Sequence, residues 1–136
     1  MTQRATGTFD VKLAPQPPED AAGDPTVGRM SIDKVFHGDL EGTSRGQMLA
    51  VSGDVKGSAG YVAMERVAGI LHGRTGTFAL QHSGTMTRGV PQLSVTVVPD
   101  SGTGELVGIA GALTITIADK KHFYSLDYQL TPDSRA

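Results

Sequence analysis

Cysteine, tryptophan and asparagine are all missing from the 136-residue chain. Without cysteine, disulfides and thiolate chemistry are excluded. Charge is also scarce, with 19% charged residues and a net charge of −2, so the chain lacks the basic surface that favours nucleic acid. No run approaches the roughly 18 apolar residues of a membrane helix, and residues 1–4 lead directly into an alternating pattern instead of an apolar signal segment. We therefore expect a cytoplasmic protein with no nucleic-acid partner and no membrane partner.

Glycine is abundant, at 18 residues, and 38% of the residues are hydrophobic. A chain of this length usually forms one domain and buries roughly two-thirds of its unfolded surface. The composition is that of a folded globular domain. We expect a single domain over residues 1–136, with its core at about 5–131 and a flexible, proline-rich loop at 14–25.

Apolar and polar residues alternate along most of the chain. The side chains at 5, 7, 9, 11 and 13 are small or apolar and those between them are polar, which indicates a half-buried strand. Residues 60–73 fit either a helix or a strand buried on both faces, and Gly60, Gly69 and the flanking strands favour a long strand. In the second strand, Lys34 interrupts the apolar parity and leaves the register uncertain. The remaining predicted strands cover 26–37, 40–52, 78–86, 93–98, 113–117 and 123–130.

Eight strands separated by turn signals predict an all-β, single-domain, eight-stranded antiparallel barrel. A barrel of that size has an interior filled by side chains or able to hold one small ligand. The glycine-rich segment 101–111 matches neither the dinucleotide fingerprint nor the phosphate loop. It predicts a turn and a single helical turn before the seventh strand.

That segment resembles the Gly-x-(Phe/Leu)-x-Gly-x-x-Gly stretch of allene oxide cyclases and dirigent proteins, with matches at Gly104, Leu106, Gly108 and Gly111. The wider chain is similar to an uncharacterised bacterial domain-of-unknown-function family with an allene oxide cyclase-like barrel. The resemblance covers about residues 5–131 and implies an eight-stranded barrel; its motifs lie at 61–69, 73–78, 81–82, 101–111 and 122–128. Plant allene oxide cyclases use a proline and an asparagine to hold a polarised water. This chain has no asparagine, so the resemblance does not extend to that water or to jasmonate-type cyclisation.

Glu65 is the leading candidate for chemistry, because strand parity places it on the face that also carries Ala63 and Val67. A desolvated carboxyl has a raised pKa if it is unpaired and a lowered pKa if it is ion-paired. Arg45 and Arg66 are the neighbouring cations considered as partners. Three roles stay open for Glu65: a general base or ligand-binding group in the lumen, a structural ion pair, or a solvated surface residue.

His82 shares its parity with Phe78 and Leu80, and a buried histidine beside tyrosine hydroxyls is able to move protons near neutral pH. The alternative is a structural core histidine. Glu65 and His82 are the catalytic candidates, and Tyr61, Glu65, His82 and Tyr128 are expected to converge in the lumen. The full predicted ligand-binding set is Tyr61, Glu65, His82, Tyr124 and Tyr128. No cofactor is predicted, and no metal site, because the four histidines lack ligand-pair spacing.

Three classes of function are considered for such a barrel. The favoured prediction is a small-molecule-binding protein whose partner is a small hydrophobic or hydroxylated molecule. The first alternative is a cyclase or isomerase that acts on a small hydrophobic substrate in the lumen. The second is a structural or oligomeric protein with a closed core, and a homo-oligomer is left open. A pocket at Glu65 would separate the first two classes from the third.

Overall fold

The computed structural model describes residues 2–16, 24 and 26–131. Within these residues, no helix is long and apolar enough to cross a membrane. The described chain forms strands and one short 3₁₀ helix, η1 (Gly104–Leu106), which follows β6. The strands are β1 (Gln3–Gln16), β2 (Gly28–Gly38), β3 (Leu40–Ser52), β4 (Ala59–Leu71), β5 (Arg74–Thr87), β6 (Val90–Val97), β7 (Ile109–Ala118) and β8 (Lys121–Leu130). The all-β prediction is confirmed, as are the long strand β4 and the helical turn.

The strands form a closed antiparallel barrel in which each strand pairs with the next and β8 pairs with β1. Pairing is extensive between β3 and β4, from Leu40↔Leu71 to Ser52↔Ala59. Between β6 and β7 the register contains a single pair, Thr96↔Ala112. The predicted eight-stranded antiparallel barrel is therefore confirmed. The pairing between β6 and β7, which we call the β6–β7 seam, is much shorter than the pairing between the other neighbouring strands.

Several strand ends differ from the prediction. The loop predicted at 14–25 is wrong at residues 14–16, which belong to β1 and pair with residues 29–31 of β2. Residues 17–23 and 25 of that predicted loop lie outside the described residues. Strand β6 begins at Val90 and includes Pro91, which is tolerated because proline near the start of a strand removes little of the ladder.

The two ends of the barrel are built differently. At the end that carries the turns near residues 39, 72 and 104, Leu40, Leu71 and Leu106 are all 0% exposed. We call this the closed end. At the opposite end, where the turns near residues 55, 88 and 119 lie, Leu93 and Ile117 line the interior and are still 45% and 66% exposed. We call this the open end, because the described residues leave its apolar interior uncovered.

Candidate functional site

A cavity of about 520 Å³ occupies the open end of the barrel. Its walls are mostly apolar and include Phe9, Val11, Ile32, Met48, Leu93 and Ile115. The polar residues of its lining are Lys34, Tyr61, His82, Thr85, Gln92 and His122. We call the part formed by Lys34, Tyr61 and His82 the deep wall, since Lys34 and His82 are only 7% and 4% exposed. The volume falls within the range of sites for small molecules, about 300–1,000 Å³.

Glu65 lies directly behind the deep wall, and its side chain is 0% exposed. Its Oε2 atom accepts hydrogen bonds from Lys34 Nζ at 2.8 Å and from His82 Nε2 at 2.5 Å. Its Oε1 atom accepts a hydrogen bond from Ser44 Oγ at 2.7 Å. Donors from β2, β3 and β5 therefore satisfy both oxygens of a carboxylate held on β4. We call Lys34, Ser44, Glu65 and His82 the buried cluster.

The protonation state of the buried cluster follows from its contacts. Burial by itself would raise the pKa of Glu65, but the His82 hydrogen bond, the charge and hydrogen bond of Lys34 and the Ser44 hydroxyl together lower it to about 2. Since an ionised carboxylate only accepts hydrogen bonds, the proton of the His82–Glu65 bond resides on Nε2. In the described part of the chain, His82 Nδ1 makes no hydrogen bond.

Lys34 is a buried cation, with its side chain 7% exposed. Apart from its bond to Glu65, its Nζ atom lies 4.9 Å from the ring centroid of Phe9 and 5.9 Å from that of Phe36. Aromatic faces attract a cation at such distances. The ammonium group is thus held by one carboxylate and two rings, and the contacts of the described residues use one of its three N–H donors.

The predicted arginine partners of Glu65 are wrong. Arg45 and Arg66 lie opposite each other in the β3–β4 register, on the outer face, and both are exposed. Arg45 forms its ion pair with Asp33, at 3.5 Å. The partner of Glu65 is Lys34, whose charge interrupts the apolar parity of β2 in the sequence. Two opposite charges on inward-facing parities would have identified the pair from the sequence.

Tyr61 lies beside the buried cluster, with its ring centroid 6.3 Å from that of His82. The ring packs on the backbone of Gly84, where a Cβ atom would collide with the ring carbons of Tyr61. Burial, followed by the negative charge of Glu65, raises the pKa of Tyr61, so its hydroxyl stays protonated at neutral pH. Tyr61, Glu65 and His82 are therefore brought together, as expected.

Tyr124 and Tyr128 lie at the closed end, away from the cavity lining. The Tyr124 hydroxyl accepts a hydrogen bond from Leu40 N at 2.9 Å and is 3.0 Å from the carbonyl oxygen of His37. The Tyr128 hydroxyl lies 2.5 Å from His72 Nδ1. Burial raises the pKa of both hydroxyls. The expected convergence therefore fails for Tyr128, since both tyrosine hydroxyls tie strands together at the other end.

No group of three or more His, Asp or Glu side chains stands close enough to hold a metal ion among the residues that the structure describes.

The fold and this cavity define a closed eight-stranded antiparallel β-barrel with one open, apolar mouth. The model of DUF3224, a family of proteins of unknown function, matches residues 5–128, and the chain belongs to this family. The chain is similar to the crystal structure of a protein with unknown function from the DUF3224 family of Shewanella oneidensis MR-1. The two are 48% identical, the match covers 97% of this chain and 99% of that chain, and the TM-score is 0.89. We found no match among curated proteins. The predicted membership of an uncharacterised bacterial family is confirmed.

Proposed function

We propose that this protein binds a small hydrophobic molecule in the cavity at the open end of the barrel. The observation that carries the proposal is the exposure of inward-facing apolar side chains at the mouth. Leu13, Leu93 and Ile117 line the cavity and are 46%, 45% and 66% exposed. An apolar concave surface facing free space is typical of a ligand site, because an apolar ligand removes that surface from water.

The closed end supports the same function. There the interior is filled by side chains such as Leu40, Leu71 and Leu106, which leave no exposed surface. A barrel with a purely structural role would be filled in this way along its whole length. The contrast between the two ends favours a binding protein over a structural protein with a closed core.

Fluorescence titration with Nile red, a neutral apolar dye, tests this function. We expect saturable binding with a blue-shifted emission, and loss of at least about tenfold in affinity in Leu93→Glu, because a carboxylate at the mouth opposes an apolar ligand. Leu49→Glu is the matched control, since Leu49 is 44% exposed but lies on the outer wall, between the inward Met48 and Ala50. Absence of saturable binding, or equal losses in the two variants, would refute the proposal.

One observation favours a second function, that of an isomerase or cyclase. The Nε2 proton of His82 is bonded to Glu65 Oε2, the oxygen that Lys34 also contacts, and the Nδ1 atom is left to act as a base. With a ketone in the cavity, Nδ1 takes a proton from the α carbon while the electron pair of that C–H bond moves toward the carbonyl oxygen, near Lys34. Returning the proton to the opposite face of the α carbon inverts that carbon, and returning it to the γ carbon of a β,γ-unsaturated ketone moves the double bond; either step completes an isomerisation.

Proton exchange tests this second function without knowledge of the substrate. In D₂O, the protein should accelerate deuterium incorporation at the α carbons of methyl nonyl ketone, followed by NMR. His82→Gln should lose the acceleration, and His37→Gln, at the closed end and half-exposed, should keep it. If the wild-type protein does not accelerate deuterium incorporation above the rate in buffer, the isomerase function is refuted. The proposed binding function is not affected by that result.

A further inference from the structure

Building on the binding function proposed above, we infer that the ligand is an apolar carboxylic acid, bound as its carboxylate against Lys34 and His82, and that its binding is coupled to uptake of one proton by His82. The inference starts from the hydrogen-bonding groups that the deep wall of the cavity presents.

The deep wall offers donors. Lys34 has three N–H donors and gives one to Glu65, and Tyr61, whose hydroxyl is protonated, also lines the cavity. The acceptor of the buried cluster, Glu65, lies behind the wall, where Ser44, Lys34 and His82 occupy its oxygens. A ligand head group that reaches this wall therefore needs to be an acceptor. An ammonium head group would meet the like charge of Lys34 in a desolvated site.

The charge balance selects a monoanion. Among the described residues, the titratable groups that line the cavity are Lys34 on β2, Tyr61 on β4, His82 on β5 and His122 on β8, whose ring centroid lies 5.1 Å from that of Phe9. Glu65 on β4 lies behind them. Lys34 and Glu65 cancel each other in charge, so this pair adds no net charge to the deep wall. A ligand carboxylate adds one negative charge, and a buried charge is costly unless it is paired.

His82 is placed to supply the missing positive charge. With the ligand bound, its imidazole lies between two carboxylates, and opposite charges nearby favour the charged form of a histidine. As an imidazolium, His82 donates from Nε2 to Glu65 and from Nδ1 to the ligand. One proton taken from solvent restores neutrality. A dianionic phosphate would leave a second negative charge unpaired among apolar walls, so the same balance disfavours it.

Calorimetric titration with decanoate, decanol and decylamine tests the head group, because these three ligands have the same ten-carbon chain and differ only in the polar group. We expect decanoate to bind roughly tenfold to a hundredfold more tightly than decanol, because hydrogen bonds to charged groups are stronger than neutral ones, and decylamine to bind most weakly. Lys34→Met should abolish the preference for decanoate. Lys12→Met is the matched control, since Lys12 is exposed on β1.

Repeating the decanoate titration near neutral pH in buffers of different ionisation enthalpy measures proton uptake. We expect net proton uptake when decanoate binds the wild-type protein and none when decanol binds. His82→Gln should lose the uptake, while His37→Gln keeps it. If Lys34→Met fails to fold, the comparison of the three probes on the wild-type protein and on His82→Gln still decides the question.

The outcomes separate the two proposals. Equal affinity for decanoate and decanol, or decanoate binding without proton uptake, overturns the carboxylate inference while Nile red binding leaves the cavity as a ligand site. Failure of Nile red, decanol and decanoate alike overturns the binding function itself, and the inference with it.

Discussion

Replacing Glu65 by glutamine removes the only carboxylate that contacts Lys34 within the described residues. The two side chains are 0% and 7% exposed, so the variant leaves a buried ammonium group without its counter-ion. Removing one partner of a buried ion pair costs about 3–5 kcal/mol. The lowering of the Glu65 pKa from 4.5 to about 2 corresponds to a free energy of the same order, about 3 kcal/mol at about 1.4 kcal/mol per unit of pKa. We therefore expect Glu65→Gln to be strongly destabilised at neutral pH.

The same pKa fixes how this difference depends on pH. The pKa of Glu65 is lowered in the folded state, so its ionised form stabilises the fold. That contribution is fully present above pH 4.5 and is lost as the pH falls from 4.5 toward about 2. The difference in unfolding free energy between wild type and Glu65→Gln should therefore shrink by about 3 kcal/mol across this window.

Urea unfolding of both proteins at a series of pH values measures this difference. Asp127→Asn is the control, because the Arg4–Asp127 pair has a similar N–O distance of 2.7 Å but its side chains are 68% and 44% exposed. Such surface pairs contribute little to stability. A Glu65→Gln variant as stable as wild type at neutral pH, or a difference that does not change with pH, would refute the assigned role of the ion pair.

Three further substitutions test other parts of the structure. Leu106→Ala should lower the unfolding free energy by about 2–5 kcal/mol, because Leu106 is 0% exposed in the closed end; a loss within error in urea unfolding would contradict its role there. Tyr124→Phe should cost about 1–3 kcal/mol in the same assay, since it leaves Leu40 N without its buried acceptor. Gly84→Ala should displace the Tyr61 ring and weaken Nile red binding, whereas Gly28→Ala, whose Cβ would meet only the Ala50 oxygen at 3.7 Å, should bind normally. Equal binding by the two glycine variants would show that the ring of Tyr61 does not shape the cavity.

Strand parity places Glu65 and His82 on the faces that carry apolar residues, and both side chains are buried, at 2% and 4% exposed. The prediction succeeds because every second side chain of a strand faces the same side, whatever the strand pairs with. Lys34 obeys the same rule, with Ile32 and Phe36 buried on either side of it. Its charge suggests a loss of register when β2 is considered alone, because the alternation of a single strand does not show that a carboxylate on another strand neutralises it.

The height of a residue along the barrel is harder to predict than its face. Parity correctly turns Tyr124 and Tyr128 inward, where they are 2% and 1% exposed. Whether an inward residue reaches the cavity or the closed end depends on the register between strands, such as the pairing of Gly7 with both Gly38 and Tyr124. That register is set by non-local pairing, which alternation within one strand does not encode.

The short seam between β6 and β7 has a consequence for the dynamics of the wall. With Thr96↔Ala112 as its one register pair, the seam leaves most amides that point across it outside a continuous ladder. These amides should exchange with deuterium earlier than those between β3 and β4, because local opening begins where few backbone hydrogen bonds are lost. Since Pro91 and Leu93 of β6 line the cavity, such opening widens it sideways. We therefore expect ligands wider than the mouth to enter through displacement of β6, with the rest of the barrel still folded.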